Sequence, residues 1–333
     1  MAYTHFRYVG YQVPTVGLGP GAENYLKIPP GNMPDLTGIS QEAAGIINNV
    51  TNADARCRLA RMYLVLMQAY QAIQTSDNNG TLKVFLAPEF YFRPYVEPGA
   101  QGLPAYSYED YQSLKTGLIS LKNLPLFNDW LIIPGTIVWQ NTGPAGKRPF
   151  TGSVFYNTVV CSLSDNEHIV NEKTEASEVD GIPAASNAPF TVNPAYYSTW
   201  RKQRKHIFNF MGINCGIEIC LEHSLGILKN QYGFFRRWFY STPPISLHLL
   251  IAGGMNIINP LIATIPEGYI LRTDGMKRGT QVELRNKNVP AANIIASTIA
   301  GIPASLQLPD PGCRPGYFFA QELHIYNPLP LAQ

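Results

Sequence analysis

Residues 215–223, CGIEICLEH, concentrate the groups of this sequence that could do chemistry. Cys215 and Cys220 stand five positions apart, with acids at 218 and 222 and a histidine at 223. In a strand, an odd spacing predicts that the two thiols lie on opposite faces, where they could not easily share one zinc ion. The spacing is also not that of a CxxC redox pair. We interpret the segment as a buried strand that ends at Cys220.

A thiol at the end of a buried strand is well placed to act as a nucleophile. Backbone N–H groups converge where a strand passes into a helix, and they stabilise a thiolate and later an oxyanion. The N–H of Leu221 is the expected oxyanion donor, Glu222 is expected to anchor the turn, and His223 is expected to be structural. The alternative is an inert core cysteine, because free cysteines are commonly buried.

Two further strand ends carry complementary groups. FLAPEFYF places Glu89 just after a buried strand, and HIVNEKTE places Lys173 at the end of another. A carboxylate can take the thiol proton as a general base. An ammonium can support the thiolate and the negative charge of a tetrahedral intermediate. If the three strand ends meet, the sequence predicts one site that combines base, cation and nucleophile.

These motifs together resemble the nitrilase superfamily of carbon–nitrogen hydrolases, whose catalytic set is Glu–Lys–Cys. LAPEF matches the family's PE motif, and GIEICLE matches its G-x-x-I-C-x-D/E motif. The run YNTVVCSLSDNEHIVNEK matches the family's lysine-bearing hairpin. The resemblance selects Glu89, Lys173 and Cys220. Lys202 in WRK and Lys205 in RKH are rivals for the lysine.

The resemblance implies an α/β fold of four layers, an α-β-β-α sandwich of two mixed sheets faced by helices, formed by one domain over residues 1–333. It implies hydrolysis of a non-peptide carbon–nitrogen bond in a small amide through a cysteine thioester, with release of ammonia or an amine and with no metal or cofactor. A homodimer or higher homo-oligomer is also implied. The alternatives are a nitrilase, which converts a nitrile to an acid and ammonia, and an inactive binding or scaffold protein on the same fold.

The resemblance also suggests residues around the substrate. An accessory glutamate downstream of the lysine positions substrate in that family, and three aromatic residues follow the base here, of which the first two are candidates for the pocket wall. The strand after the cysteine is expected to end beside the site. The candidates are therefore Glu175, Glu178, Phe90, Tyr91, Met255 and Asn256.

Composition limits the remaining classes of function. The chain has 333 residues, of which 45% are hydrophobic and 14% are charged. The usual charged fraction is about 25%, so an oligomer that buries part of the surface is expected. The net charge of +2 does not call for a nucleic-acid partner. We expect no signal peptide, no membrane span of roughly 18 apolar residues and, with five irregularly spaced cysteines, a reducing cytoplasmic location.

Hydrophobic periodicity predicts the elements that position these residues. It predicts helices over 53–75, 106–122 and 222–239. FYNTVVCSLS with HIVNEKTE, and KHIFNFM with NCGIEICL, have the pattern of hairpins. DWLIIPGTIVWQ reads as one strand, GYILRTDG as part of a turn region, and the unusually long segment 14–52 as a loop. Further strands are expected at the start, at FRYVGYQV, and near 281–285, 292–298 and 317–326.

Overall fold

Helices and strands alternate in the first part of the chain, and strands dominate afterwards. The computed structural model describes residues 3–13, 15, 33–74, 80–94, 105–141, 154–164, 167–173, 206–238, 244–276, 282–286, 304–307 and 321–331. The helices in these ranges are α1 (Gln41–Asn48), α2 (Ala53–Ile73), α3 (Tyr108–Lys122), α4 (Leu221–Ser224) and α5 (Ile227–Trp238). The strands are β1 (His5–Gln12), β2 (Thr81–Leu86), β3 (Trp130–Ile133), β4 (Thr136–Asn141), β5 (Val154–Ser162), β6 (His168–Glu172), β7 (Ile207–Phe210), β8 (Ile213–Ile219), β9 (Leu247–Ala252), β10 (Tyr269–Asp274), β11 (Val282–Asn286), β12 (Ala304–Gln307), β13 (Glu322–Ile325) and β14 (Leu329–Pro330).

Side-chain caps define where the first three helices begin. Ser40, Asn52 and Ser107 each accept a backbone N–H from the residue three positions further on. Such a cap satisfies one of the N–H groups that the first turn leaves without a helical partner. Helix α1 lies within the segment predicted as a loop, so that prediction is wrong for residues 41–48. Its burial of Ala43 and Ile47 explains why these residues fold as a helix.

The strands form two larger sheets and one smaller one. The six-stranded sheet has the order β12-β13-β1-β2-β3, and β14 also pairs with β1. The five-stranded sheet has the order β11-β10-β9-β8-β7, and β4-β5-β6 form the third sheet. Parallel pairs (β1–β2–β3 and β8–β9–β10) occur beside antiparallel ones, so the two larger sheets are mixed.

Alternate side chains of β1, a strand of the six-stranded sheet, pack into two different hydrophobic clusters. Val9, Tyr11 and Phe85 pack with apolar residues of helices α1, α2 and α3. Phe6 and Tyr8 belong instead to a cluster that includes side chains of β5, β8, β9 and β10. Period-two alternation therefore gives β1 two buried faces. The prediction of a mixed α/β fold is confirmed, while the four-layer sandwich stays a prediction.

Both predicted hairpins are confirmed, as antiparallel pairs β5–β6 and β7–β8. The single strand predicted for DWLIIPGTIVWQ is wrong. The chain breaks at Pro134–Gly135, where Gly135 has a φ of +86, and β3 and β4 join different sheets. The helix predicted over 222–239 is likewise interrupted, at Leu225–Gly226, where Gly226 has a φ of +63.

The late part of the chain contains the other differences. GYILRTDG, predicted as part of a turn region, contains the interior strand β10, which pairs with β9 and β11 through its backbone. Its arginine and aspartate obscured the strand pattern because they are buried in ion pairs. The strands expected near 281–285 and 317–326 correspond to β11 and β13, and the one at 292–298 lies outside the described residues. Among the described helices, none is both long enough and apolar enough to cross a membrane.

Candidate active site

Two of the three predicted catalytic side chains form a buried ion pair. Glu89 lies shortly beyond the end of β2, and Lys173 directly follows β6. The Lys173 Nζ lies 2.8 Å from the Glu89 Oε1, and the side chains are 1% and 0% exposed. Removing one partner of such a pair leaves a buried charge, which is strongly destabilising. Buried charges of this kind concentrate at functional sites.

Asn157 is a member of the site that sequence reasoning did not select. It lies on β5, and its side-chain Nδ2 donates to the Glu89 Oε1 over 2.8 Å. Its backbone carbonyl oxygen accepts the backbone N–H of Lys173, also over 2.8 Å. The same residue therefore orients the carboxylate and aligns the chain that carries the ammonium. Asn157 is the asparagine of the YNTVV motif, which in the sequence served only to identify the hairpin that carries the lysine.

The backbone around Glu89 is held from several sides. The Glu89 N–H donates to the Ala252 carbonyl, and the Glu89 carbonyl accepts the Thr15 hydroxyl. Phe90 has a φ of 64, which is uncommon for a non-glycine residue, and its N–H donates to the Thr136 Oγ1 over 2.8 Å. Strain of this kind persists only where the surroundings enforce it. The turn thus presents the carboxylate in one direction.

Gly135 permits the close packing beneath this turn. A Cβ on Gly135 would meet the Pro88 carbonyl oxygen and lie 2.9 Å from the Tyr91 Cβ, at a φ of +86. We expect Gly135→Ala to lower the free energy of unfolding by about 1–3 kcal/mol more than Gly38→Ala does. Gly38 is a matched control because it has the same φ of +86 and nothing within 4 Å of its Cβ position. Urea unfolding of both variants measures the difference, and equal losses would contradict the close-packing explanation.

Cys220 lies in a strained turn between β8 and α4, with φ 48 and ψ −109. In β8, residues 213, 215, 217 and 219 pack in the cluster between the sheets. Regular alternation would turn the next side chain to the opposite face, but Cys220 packs in the same cluster as Cys215. The prediction of opposite faces is therefore wrong, because the positive φ redirects the chain after Ile219.

A carboxylate, an ammonium and a backbone N–H all act on the Cys220 thiol. Burial, then the carboxylate of Glu89 by its charge and by a hydrogen bond, raise the pKa of this thiol well above its usual value. The Lys173 ammonium and the backbone N–H of Gly253 act in the opposite direction. Because the net shift is upward, the free thiol keeps its proton at neutral pH. A nucleophilic role therefore needs a base, and Glu89 is the adjacent carboxylate.

The segment after β9 is tied to β10. The Asp274 Oδ1 accepts the N–H of Gly254 over 2.9 Å, and the Arg272 Nε donates to the Met255 carbonyl. Arg272 also forms buried ion pairs with Asp274 and Glu283. This network holds the residues that directly follow Gly253, whose N–H interacts with the thiol.

Only some of the other predicted residues that the structure describes lie near the ion pair or the thiol. Phe90 lies beside the ion pair, with the Lys173 Nζ 5.6 Å from its ring centroid, whereas Tyr91 packs in the helix-covered core. Leu221 is the first residue of α4, and Met255 packs against the cluster that contains Cys220, whereas Asn256 is exposed. The residues Glu175, Glu178, Lys202 and Lys205 lie outside the described part of the chain.

Comparisons with known proteins give no sequence relative. No family model matches the chain, and no curated protein matches it. Among solved structures, an amidase from Nesterenkonia sp. is 11% identical with a TM-score of 0.40, over 99% of this chain and 92% of that one. A mutant of Nesterenkonia AN1 amidase from the nitrilase superfamily is also 11% identical, with a TM-score of 0.38, over 86% and 85%.

Glutamine-dependent NAD+ synthetase from Acinetobacter baumannii is 13% identical with a TM-score of 0.36, over 69% of this chain. The matched part spans only 39% of the synthetase. The structural neighbours thus include amidases, one of them from the nitrilase superfamily, and this synthetase.

Proposed function

We propose that this protein is a carbon–nitrogen hydrolase of the nitrilase type that hydrolyses small amides through a thioester on Cys220. The observation that carries the proposal is the buried Glu89–Lys173 ion pair, whose two charges both act on the Cys220 thiol. The motif resemblance selected the same three residues. The proposed fold is the four-layer sandwich, in one domain and as a homodimer or higher homo-oligomer in the cytoplasm.

Each group has a role that follows from its chemistry. Glu89 takes the thiol proton, and the thiolate attacks the carbonyl carbon of the amide. The Lys173 ammonium and the backbone N–H of Leu221 stabilise the oxyanion that forms. The first N–H groups of a helix have no partner within it, and Leu221 is the first residue of α4, so we assign this role to its N–H. Glu89 gives the proton from the thiol to the leaving ammonia or amine as the C–N bond breaks, and the regenerated carboxylate then takes a proton from the water that hydrolyses the thioester. The mechanism uses no metal or cofactor.

A nitrilase is the second candidate, because Glu222 and His223 follow Leu221 in the C-x-E-H order that the sequence shares with nitrilases. The two activities differ in the bond that is attacked. An amide gives a tetrahedral intermediate and a thioester, whereas a nitrile gives a thioimidate. Both routes release ammonia when the substrate is a primary amide or a nitrile.

Ammonia release from matched amides and nitriles tests the proposal. We expect ammonia from propionamide and benzamide at a rate above that of the Cys220→Ala variant, and little from propionitrile and benzonitrile. Release from the nitriles alone would favour the nitrilase. Cys220 that reacts with iodoacetamide no faster than an ordinary buried thiol, with no ammonia from either panel, would instead favour the scaffold alternative.

A further inference from the structure

The backbone at Cys220 requires support from its neighbours. A non-glycine residue at a φ of 48 is held in a sparsely populated region, at a cost of about 1–3 kcal/mol. Such a conformation persists only where hydrogen bonds and packing determine it. The Cys220 N–H donates to the Ile251 carbonyl, and the Cys220 carbonyl accepts the N–H of His223. These bonds hold the N–H and the carbonyl group of Cys220. They do not by themselves set the orientation of β8 relative to helix α4.

Two side-chain bonds, nested around Cys220, join β8 to α4 directly. The Glu222 Oε2 reaches back across the turn and accepts the N–H of Ile219 over 2.9 Å. The Glu218 Oε2 reaches forward and contacts the His223 Nδ1 over 2.8 Å. The inner bond joins the two sides close to the thiol, and the outer bond encloses it. All four residues are completely buried, so water does not compete for these bonds.

The outer bond belongs to a larger cluster around Glu218. The same Oε2 atom contacts the His248 Nε2 over 3.0 Å, which adds strand β9 to the cluster. The Oε1 atom accepts the N–H of Leu228 over 2.6 Å, near the start of α5. One carboxylate thus joins β8, β9, α4 and α5 on the side of the sheet away from the thiol.

Glu218, His223 and His248 are residue types that bind metal ions, and one ligand atom from each lies within 4.8 Å of the others. The far nitrogens of the rings argue against a metal site. The His223 Nε2 accepts the N–H of Ile258 over 3.0 Å, and the His248 Nδ1 accepts that of Ala263 over 3.4 Å. An accepting nitrogen carries no proton, so each ring carries a proton on the nitrogen that faces Glu218. Those nitrogens are donors to the carboxylate and cannot bind a metal.

The cluster is therefore a hydrogen-bonded anion with two imidazole donors. Burial by itself would raise the pKa of the Glu218 carboxyl, but the hydrogen bonds from His223 and His248, together with electrostatic attraction to the two rings, lower this pKa to well below its usual value. The carboxylate stays charged, and charged acceptors form the stronger hydrogen bonds. The bond between Glu218 and His223 crosses the turn, and a strong bond there can hold Cys220 in its strained conformation.

We propose that Glu218 is a positioning residue for Cys220, which acts through its bond to His223 to hold the thiol in its strained turn. This inference rests on the proposed function, because it assumes that the Cys220 thiol is the reacting group. Glu218 does not touch the substrate. Its loss should leave binding nearly intact and should move the thiol relative to Glu89 and Lys173.

The test compares Glu218→Gln and His223→Asn, alone and together, in the full chain. The glutamine retains the shape but brings an amide N–H group towards two imidazole donors. We expect each single variant to slow the alkylation of Cys220 by iodoacetamide, and to lower kcat for p-nitrophenyl acetate, by at least about tenfold, because misplacement by 1 Å can cost about a hundredfold. KM should change by less than about twofold.

The double variant distinguishes positioning from general loss of stability. Because both changes break the same bond, we expect the double variant to be no slower than the slower single variant, which is the non-additivity of contacting residues. Asp54→Asn is the matched control, since it removes another buried carboxylate, paired with Arg58 on α2. It should lower the Tm without changing the alkylation rate or kcat. Circular dichroism verifies that each variant is folded, and His223→Asn carries the test if Glu218→Gln does not fold.

Each result is decisive. A folded Glu218→Gln protein, or a folded His223→Asn protein, that alkylates at the wild-type rate would overturn the positioning role, while loss of labelling in Cys220→Ala would leave the proposed function intact. Fully additive effects in the double variant would also overturn it. If the wild-type Cys220 neither alkylates faster than Cys215 nor supports hydrolysis, the proposed function fails and the positioning role fails with it.

Discussion

Replacement of Cys220 by alanine is expected to lower turnover of the amide panel by at least about 10⁴-fold, in the range found when a covalent nucleophile is removed. The thiol is the only atom group of this residue that can form the thioester, and alanine retains the Cβ. The side chain is small and lies just beyond the end of β8, so the fold should remain. Ammonia release measures the activity, and circular dichroism with urea unfolding measures the fold.

Cys215→Ala is the matched control for this experiment. Cys215 lies on β8, the strand that leads to Cys220, and packs in the same cluster. Burial raises the pKa of its thiol, and the further cause is the neighbouring Cys161, not a carboxylate or an ammonium. The variant should keep most of its activity and lose about as much stability as a small core truncation does, ~1 kcal/mol. Turnover that survives in Cys220→Ala would exclude the thioester mechanism. Equal loss in both variants would indicate a packing effect.

Replacement of Glu89 by glutamine is expected to lower turnover by at least about a hundredfold, within the range that general bases supply. Glutamine retains the shape, and its carbonyl oxygen can still accept hydrogen bonds from Lys173 and Asn157, which lie 2.8 Å from the Glu89 Oε1. It cannot take a proton from the thiol or from water. Formation and hydrolysis of the thioester should both slow, because the same carboxylate serves in both steps.

Rapid-quench mass spectrometry with p-nitrophenyl acetate separates these two steps. In Glu89→Gln, we expect the acetylated protein to form slowly, to carry the acetyl group on Cys220, and to persist because its hydrolysis lacks a base. Asp54→Asn again controls for the loss of a buried carboxylate, and its acetylated form should clear at the wild-type rate. If Glu89→Gln acylates and deacylates as the wild type does, Glu89 is a structural acid and not the base.

Local patterns made Glu89, Lys173 and Cys220 candidates, because each residue follows a strand that the sequence marks clearly. Apolar runs that end in a polar residue indicate the end of a buried strand whatever lies around them. The hairpin before Lys173 was predictable for the same reason, since its turn and its alternation are both local. The resemblance of the motifs and of their order to the nitrilase superfamily then selected these residues over rivals such as Lys202 and Lys205.

The meeting of the three residues depends on tertiary structure. Glu89 follows a strand of the six-stranded sheet, Lys173 one of the three-stranded sheet and Cys220 one of the five-stranded sheet. Local patterns do not specify which sheet a strand joins, because that choice depends on packing between distant segments. The division of DWLIIPGTIVWQ at Gly135 and the burial of charged residues in β10 were missed for this reason.

Local patterns thus determined which side chains stand at strand ends, and therefore which chemistry this chain can carry. The direction of the Cys220 side chain was decided only in the folded protein. Alternation along β8 would have turned the thiol away from Cys215, and the positive φ at Cys220 reversed that direction. A cysteine has no intrinsic preference for such a backbone conformation. The bonds around the turn, including that between Glu218 and His223, come from residues that fold into place around it, and their combined free energy exceeds the local preference.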